Sequence, residues 1–129
     1  MHSLQTNFGV SEDLRDRAFR GSKDLFAMDL EAKNSQLLKI TPETNCGFLP
    51  YEGETLNSSR RADKKEAYNV KRSNLTEGCP PVFVDASAEL WEACEDFAAR
   101  FSTACSLALG LPTDYFSKTM KSMDLCTLR

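Results

Sequence analysis

Apolar residues recur in steps of three and four at Leu90, Cys94, Phe97, Ala98, Phe101, Cys105 and Ala108. That spacing places side chains on one face of a helix. The pattern spans Asp85 to Leu111 and is the longest helical signal in the chain. Asp85 or Ser87 can cap its start, and Glu89 and Glu92 suit a first turn, where the helix dipole favours anions. Gly110 followed by Pro112 stops it. The polar face, Glu92, Glu95, Asp96 and Arg100, holds only in the first half. From Ala104 to Leu111 the sequence ACSLALGL has almost no polar side. A helix apolar all round is buried all round, so this half needs cover on two faces.

The same reading places the other elements. Leu4, Thr6 and Phe8 alternate with polar residues and predict a short strand ending at Gly9. Val10, Leu14, Ala18, Leu25 and Phe26 predict a helix from Ser11 to Met28, with Ser11 as N-cap and Gly21 weakening its middle. A shorter helix is expected over Asp29 to Leu38. The two would form a surface pair packing Leu14, Leu25, Phe26 and Leu30 inward. Residues 41–86 are rich in loop formers, among them Pro42, Asn45, Gly47, Pro50 and Gly53. They include the charged run from Arg60 to Arg72, with a strand-like centre at Ala67, Tyr68 and Val70. Lys64, Lys65 and Glu66 read as a surface charge cluster. A last helix is expected over Thr113 to Met123, with Phe116, Met120 and Met123 on its apolar face. Leu125 to Arg129 begins a strand.

Composition bounds the rest. The 129 residues are 41% hydrophobic, enough for one domain with a core of its own. A net charge of -3 exerts no general pull on nucleic acid or anionic lipid. The run from Arg60 to Arg72 is interrupted by Asp63 and Glu66, and reads as a solvated loop or edge strand rather than a nucleic-acid site. No apolar run approaches the roughly 20 residues that span a bilayer. The N-terminal MHSLQTNFGV has no basic-then-apolar pattern, so a cytoplasmic protein is expected. The five cysteines, none in C-x-x-C spacing, read as reduced thiols acting as small apolar residues. One histidine, His2, is the whole supply. No histidine-based metal site or nucleophile–histidine pair can be built from this chain alone.

Several short motifs then follow in a fixed order. Asn7-Phe8-Gly9-Val10 precedes a helix that ends in Leu25-Phe26-Ala27-Met28-Asp29-Leu30-Glu31-Ala32-Lys33. Gly47-Phe48-Leu49-Pro50 with Glu54 comes next, then Asp63-Lys64-Lys65-Glu66-Ala67-Tyr68. Trp91 lies upstream of Leu107-Ala108-Leu109-Gly110-Leu111 and Tyr115-Phe116. This order resembles the N-terminal region of the non-haem iron, 2-oxoglutarate-dependent dioxygenases of the isopenicillin N synthase-like family. There the pattern runs N-H-G-V, F-F-x-L-P-x-E-x-K, G-Y, D-x-K-E-x-F/Y and L-G-L-x-x-x-F. Phe8 departs from the family's histidine, and Met28-Asp29 from its Leu-Pro.

The resemblance implies an α+β, mostly helical fold: three to four helices with short strands. It would be the N-terminal helical part of such an enzyme, a single partial domain over 1–129, with 124–129 the start of a missing double-stranded β-helix. In the family that barrel carries the iron ligands, His-x-Asp and a distant His, and the Arg-x-Ser that binds 2-oxoglutarate. Two His and one carboxylate on one face of Fe(II) are the requirement, and this chain cannot supply them. The resemblance therefore implies Fe(II) and 2-oxoglutarate for the complete parent, and neither for this chain, which is expected to be inactive alone. The implied partner is the C-terminal barrel, on which Ala104 to Leu111 would dock, and the implied ligand is a small organic substrate of the parent. Asn45, Leu49, Asn69, Thr127 and Arg129 are implied to line its pocket, with Thr127 and Arg129 on one side of their strand. The alternative is a stand-alone, non-catalytic helical interaction module or pseudoenzyme.

Overall fold

Ser11 sets the first helix. Its hydroxyl accepts the Leu14 amide at 3.1 Å, and α1 runs Glu12–Ala27 with Glu12 and Asp13 in its first turn. The structure, a computed structural model, describes residues 8–55, 59, 61–72, 76–120 and 126–129. The expected N-terminal strand falls largely outside these; Phe8 and Gly9 form a bend. After α1 come α2 (Leu30–Gln36), β1 (Gly47–Leu49), β2 (Ala67–Asn69) and α3 (Pro81–Ala108). The α+β, mostly helical expectation holds, with three helices among the described residues.

β1 and β2 form an antiparallel pair in the register Gly47–Asn69, Phe48–Tyr68 and Leu49–Ala67. The chain just before β1 adds to its other edge: the Phe48 amide donates to the Leu38 carbonyl at 2.6 Å, and the Ile40 amide to the Phe48 carbonyl at 3.1 Å. The terminal residues add to β2, where Val70 and Leu128 exchange backbone bonds of 2.8 and 3.0 Å. Leu25, Leu37, Phe48, Tyr68, Val70 and Phe83 make the core between this small sheet and the helices. Tyr68 and Phe83 meet edge to face, their centroids 5.3 Å apart.

The long helix begins four residues earlier than Asp85. Pro80 takes the N-cap position and Pro81 the first helical one, where proline's missing N–H would have no partner anyway. The extra turn inserts Phe83 into the core, beside the buried Ala86. α1 and α3 lie antiparallel, as three contacts show: Phe8 against Phe97, Arg17 against Glu89, and Gly21 against Phe83. Gly21 is where the helices touch rather than a weak point. A methyl there would sit 2.7 Å from both the Phe83 Cα and its backbone nitrogen. Propensity counts the entropy of a glycine, but only the crossing point gives it a use.

Three further expectations are corrected. Leu30 does not pack inward; it is 62% exposed on a two-turn helix whose buried residue is Lys33. Glu66 is not part of a surface cluster. Its carboxylate accepts both 3.0 and 3.1 Å bonds from the Lys33 ammonium, which also donates to the Phe26 carbonyl at 3.0 Å. The helix expected from Thr113 to Met123 is a series of turns over 113–119; residues 121–125 lie outside the described part. The Ser117 and Thr119 hydroxyls bond to the Asp114 and Phe116 carbonyls, and such local bonds compete with a helix.

The second half of α3 is exposed on its leucine side. Leu107 is 62% and Leu109 65% accessible, and Phe101 and Ala108 also face solvent. Ser102 and Ser106 are buried instead. The chain folds back over them after Gly110: the Leu111 amide donates to the Ser106 carbonyl at 2.9 Å, and Ser102 faces the Met120 sulfur.

Candidate functional site

The five residues expected to line a pocket fall into two groups. Asn45 and Asn69 come together at the start of β1. Asn45 adopts a left-handed backbone with φ 45°, a conformation asparagine tolerates better than most residues. Its amide donates to the Thr41 carbonyl at 2.8 Å, closing a turn. The turn aims the Asn45 carbonyl oxygen Oδ1 at Asn69 Nδ2, which donates to it at 2.9 Å. Asn69 is buried and Asn45 is exposed, so the pair runs from interior to surface. Asn69 Oδ1 is buried with no hydrogen-bond partner. A buried acceptor without a partner is uncommon in folded proteins. Leu49, two residues beyond Gly47, lies half-buried at the far end of the same strand.

Thr127 and Arg129 sit on the terminal segment and border different spaces. Arg129 lines a cleft of about 370 Å³ between α1, α3 and β2, walled by Phe26, Tyr68, Phe83 and Leu90. Thr127 lines a cleft of about 250 Å³ against the middle of α3, beside Trp91, Cys94 and Ala98. Leu128 borders both. Among the described residues the Trp91 indole N–H is also buried without a hydrogen-bond partner.

Arg129 is held by Glu54. The guanidinium donates to both Glu54 oxygens, at 2.9 and 3.3 Å, and Lys65 reaches the same carboxylate at 2.6 Å. Arg129 and Lys65 together hold the Glu54 carboxyl down at about 2, against an ordinary 4.5. Sequence reasoning missed this partner, because 75 positions separate the two residues. The sign follows directly. Glu54 contributes its stabilisation fully above its ordinary value and loses it as pH falls through about 2. The pair's contribution is therefore expected to be whole above about pH 4.5 and to fade progressively as pH falls toward 2. Substituting Glu54→Gln is expected to loosen the terminal segment at neutral pH, where the Val70–Leu128 backbone bonds still hold it. The check is hydrogen exchange of the Leu128 amide at neutral pH, which should be faster in the variant than in the parent protein.

Two polar side chains at the core edge, the buried Tyr68 and the half-buried Cys79, have their titration moved by burial. The Tyr68 phenol is pushed up, and it shares a hydrogen bond with Cys79, whose thiol is also pushed up. Neither is poised as a nucleophile at neutral pH. Among the described residues no three His, Cys, Asp or Glu side chains come together as a metal site. The donor set that Fe(II) requires is not met by the described residues. No described helix is long and apolar enough to cross a membrane.

Comparison with known proteins gives two findings. A profile of the family described as "non-haem dioxygenase in morphine synthesis N-terminal" matches residues 4–91. UPF0676 protein C1494.01 of Schizosaccharomyces pombe is 28% identical over 128 residues, covering 92% of this chain. The chain spans 39% of that relative's length. No solved structure matches.

Proposed function

The chain belongs to the family of non-haem dioxygenase N-terminal regions, and on that premise we propose that it is the supporting, non-catalytic part of an Fe(II)- and 2-oxoglutarate-dependent oxidoreductase of the isopenicillin N synthase-like type. The complete enzyme would oxidise a small organic substrate in the cytoplasm. A C-terminal barrel would hold the iron and 2-oxoglutarate and do the chemistry. The observation that carries the reading is the exposed apolar end of α3. Leu107 and Leu109 are each more than three-fifths accessible, on a helix whose other end is packed in the core. An apolar surface of this kind is what a second domain would cover.

In this reading Asn45 and Asn69 form one polar wall of the substrate pocket, with Leu49 beside them. Asn69 Oδ1 would accept a hydrogen bond from substrate. Thr127 and Arg129 enter the wall through the terminal segment, Arg129 once Glu54 has fixed its orientation.

The test is the transcript beyond Arg129, together with the behaviour of the chain by itself. The reading expects an in-frame H-x-D, a later His and R-x-S. It also expects strong binding of a hydrophobic dye by the isolated chain, reversed when the downstream domain is supplied. A stop codon directly after Arg129, with cooperative melting and no dye binding, would instead establish a stand-alone interaction module.

A further inference from the structure

Five thiols are present and none is in a disulfide. Three do not border the cleft between α3 and the terminal segment. Cys46 is buried, and Cys79 is bonded to Tyr68. Cys105 lies three turns beyond Cys94 on α3, about 16 Å along the axis. The other two share a space. Cys94 on α3 and Cys126 on the terminal segment both line the cleft of about 250 Å³. Both residues therefore border one open space, and joining them requires the terminal segment to move inward until the two Cα atoms stand ~4–7 Å apart.

We propose that Cys94 and Cys126 form a reversible disulfide that latches the terminal segment onto α3 when the protein meets a peroxide. Nothing in this depends on the family reading. Cys126 is exposed and reacts first. Its thiolate attacks one oxygen of hydrogen peroxide. An S–O bond forms, the O–O bond breaks, and one water leaves, giving the sulfenic acid. The Cys94 sulfur then attacks the oxidised sulfur. The S–S bond forms, the S–O bond breaks, and a second water leaves. Two thiols lose two electrons and two protons, and one peroxide is reduced to two waters. The order of events is set by burial. Cys94 is partly covered, and its thiol is pushed up, so it waits for a partner rather than meeting oxidant itself.

The latch has a mechanical consequence. In the reduced protein the terminal segment is held by the Val70–Leu128 backbone bonds and by the exposed Arg129–Glu54 pair. A disulfide would add a covalent hold and draw the Thr127 side of the segment against Trp91.

The experiment treats the purified chain with a slight excess of hydrogen peroxide and maps peptides by mass spectrometry without reduction. The expected result is a monomer lighter by two hydrogens, a Cys94–Cys126 cross-linked peptide, and a thermal midpoint several degrees higher. Dithiothreitol should reverse all three. Cys126→Ser, at an exposed position, should abolish the cross-link and the shift while leaving the reduced midpoint unchanged. Sulfenic or sulfinic acid accumulating on Cys126 without a cross-link would overturn the proposal. So would a dimer linked through Cys126, or a different intramolecular pair.

Discussion

Replacing Glu66 with alanine is expected to lower stability by about 2–3 kcal/mol, more than removing the acid of any exposed ion pair among the described residues. The reason lies in what remains. Lys33 is 7% exposed, and its ammonium has three protons to place. It places them on the two Glu66 oxygens and on the Phe26 carbonyl, with its charge 5.9 Å from the Phe48 ring centroid. Phe26 stands in the last turn of α1, which has no basic residue of its own there. Lys33 therefore neutralises the carbonyl end of α1, anchors α2, and fixes the approach to β2. Glu66→Ala leaves that cation in the core without its counter-charge. Glu66 keeps a quarter of its side-chain surface, so water can reach part of the gap, and the loss falls below that of a fully enclosed pair. Lys33→Met should cost less than Glu66→Ala, because the surviving carboxylate can turn outward. Joining Lys33→Met to Glu66→Leu should recover most of the loss. Urea midpoints of the three variants are the measurement. Equal midpoints for Glu66→Ala and the parent protein would show that the pair contributes nothing.

Gly47→Ala is expected to be at least as damaging, about 3 kcal/mol or more, and its effect should spread to the candidate site. Gly47 has φ 116°, outside the range open to L side chains. A methyl there would also collide with the Leu38 carbonyl oxygen. That oxygen accepts the Phe48 amide, the bond that ties the segment before β1 to the strand. Phe48 is fully buried, so the strand cannot shift without opening the core. Asn45 lies two residues before Gly47, and Gly47 pairs with Asn69 in the sheet. Moving β1 therefore breaks the Asn45–Asn69 contact as well. The check is circular dichroism melting together with the side-chain amide signals of Asn69. Those signals should lose their hydrogen-bonded shift in the variant, while Asn45→Gly, which can keep the left-handed turn, should lose them with a smaller fall in melting temperature than Gly47→Ala.

Some of this was legible one residue at a time. Ser11 followed by Glu12 and Asp13 marks a helix start, and α1 begins there. The alternation around Tyr68 marks a strand, and β2 forms there. The polar-to-apolar change along the long helix correctly marks a half that the chain leaves uncovered on its leucine side. The order of short motifs identified the family, because each motif is a local run and order survives in one dimension. Asn45 and Asn69 were also named from sequence, although nothing in their spacing said that they touch.

The remaining features depend on pairs far apart in sequence. Lys33 and Glu66 are 33 positions apart, Arg129 and Glu54 are 75, and Arg17 and Glu89 are 72. At those separations no periodicity relates one residue to the other, and a charged residue read alone has solvent as its default surroundings. The same limit misplaced Leu30. Its apolar side chain predicts burial, but the short helix spends its inward position on Lys33. Gly21 shows the point most simply. Local propensity counts only what a glycine costs a helix, whereas its use appears when a second backbone comes within a methyl's radius. Capping, hydrophobic period and turn chemistry act within a few residues, so the sequence by itself determined the family and most of the elements, though not the turns over 113–119 or the first turn of α3. Which polar groups are buried together, and which face of the long helix stays open, depended on distant segments meeting, and only the tertiary structure decided them.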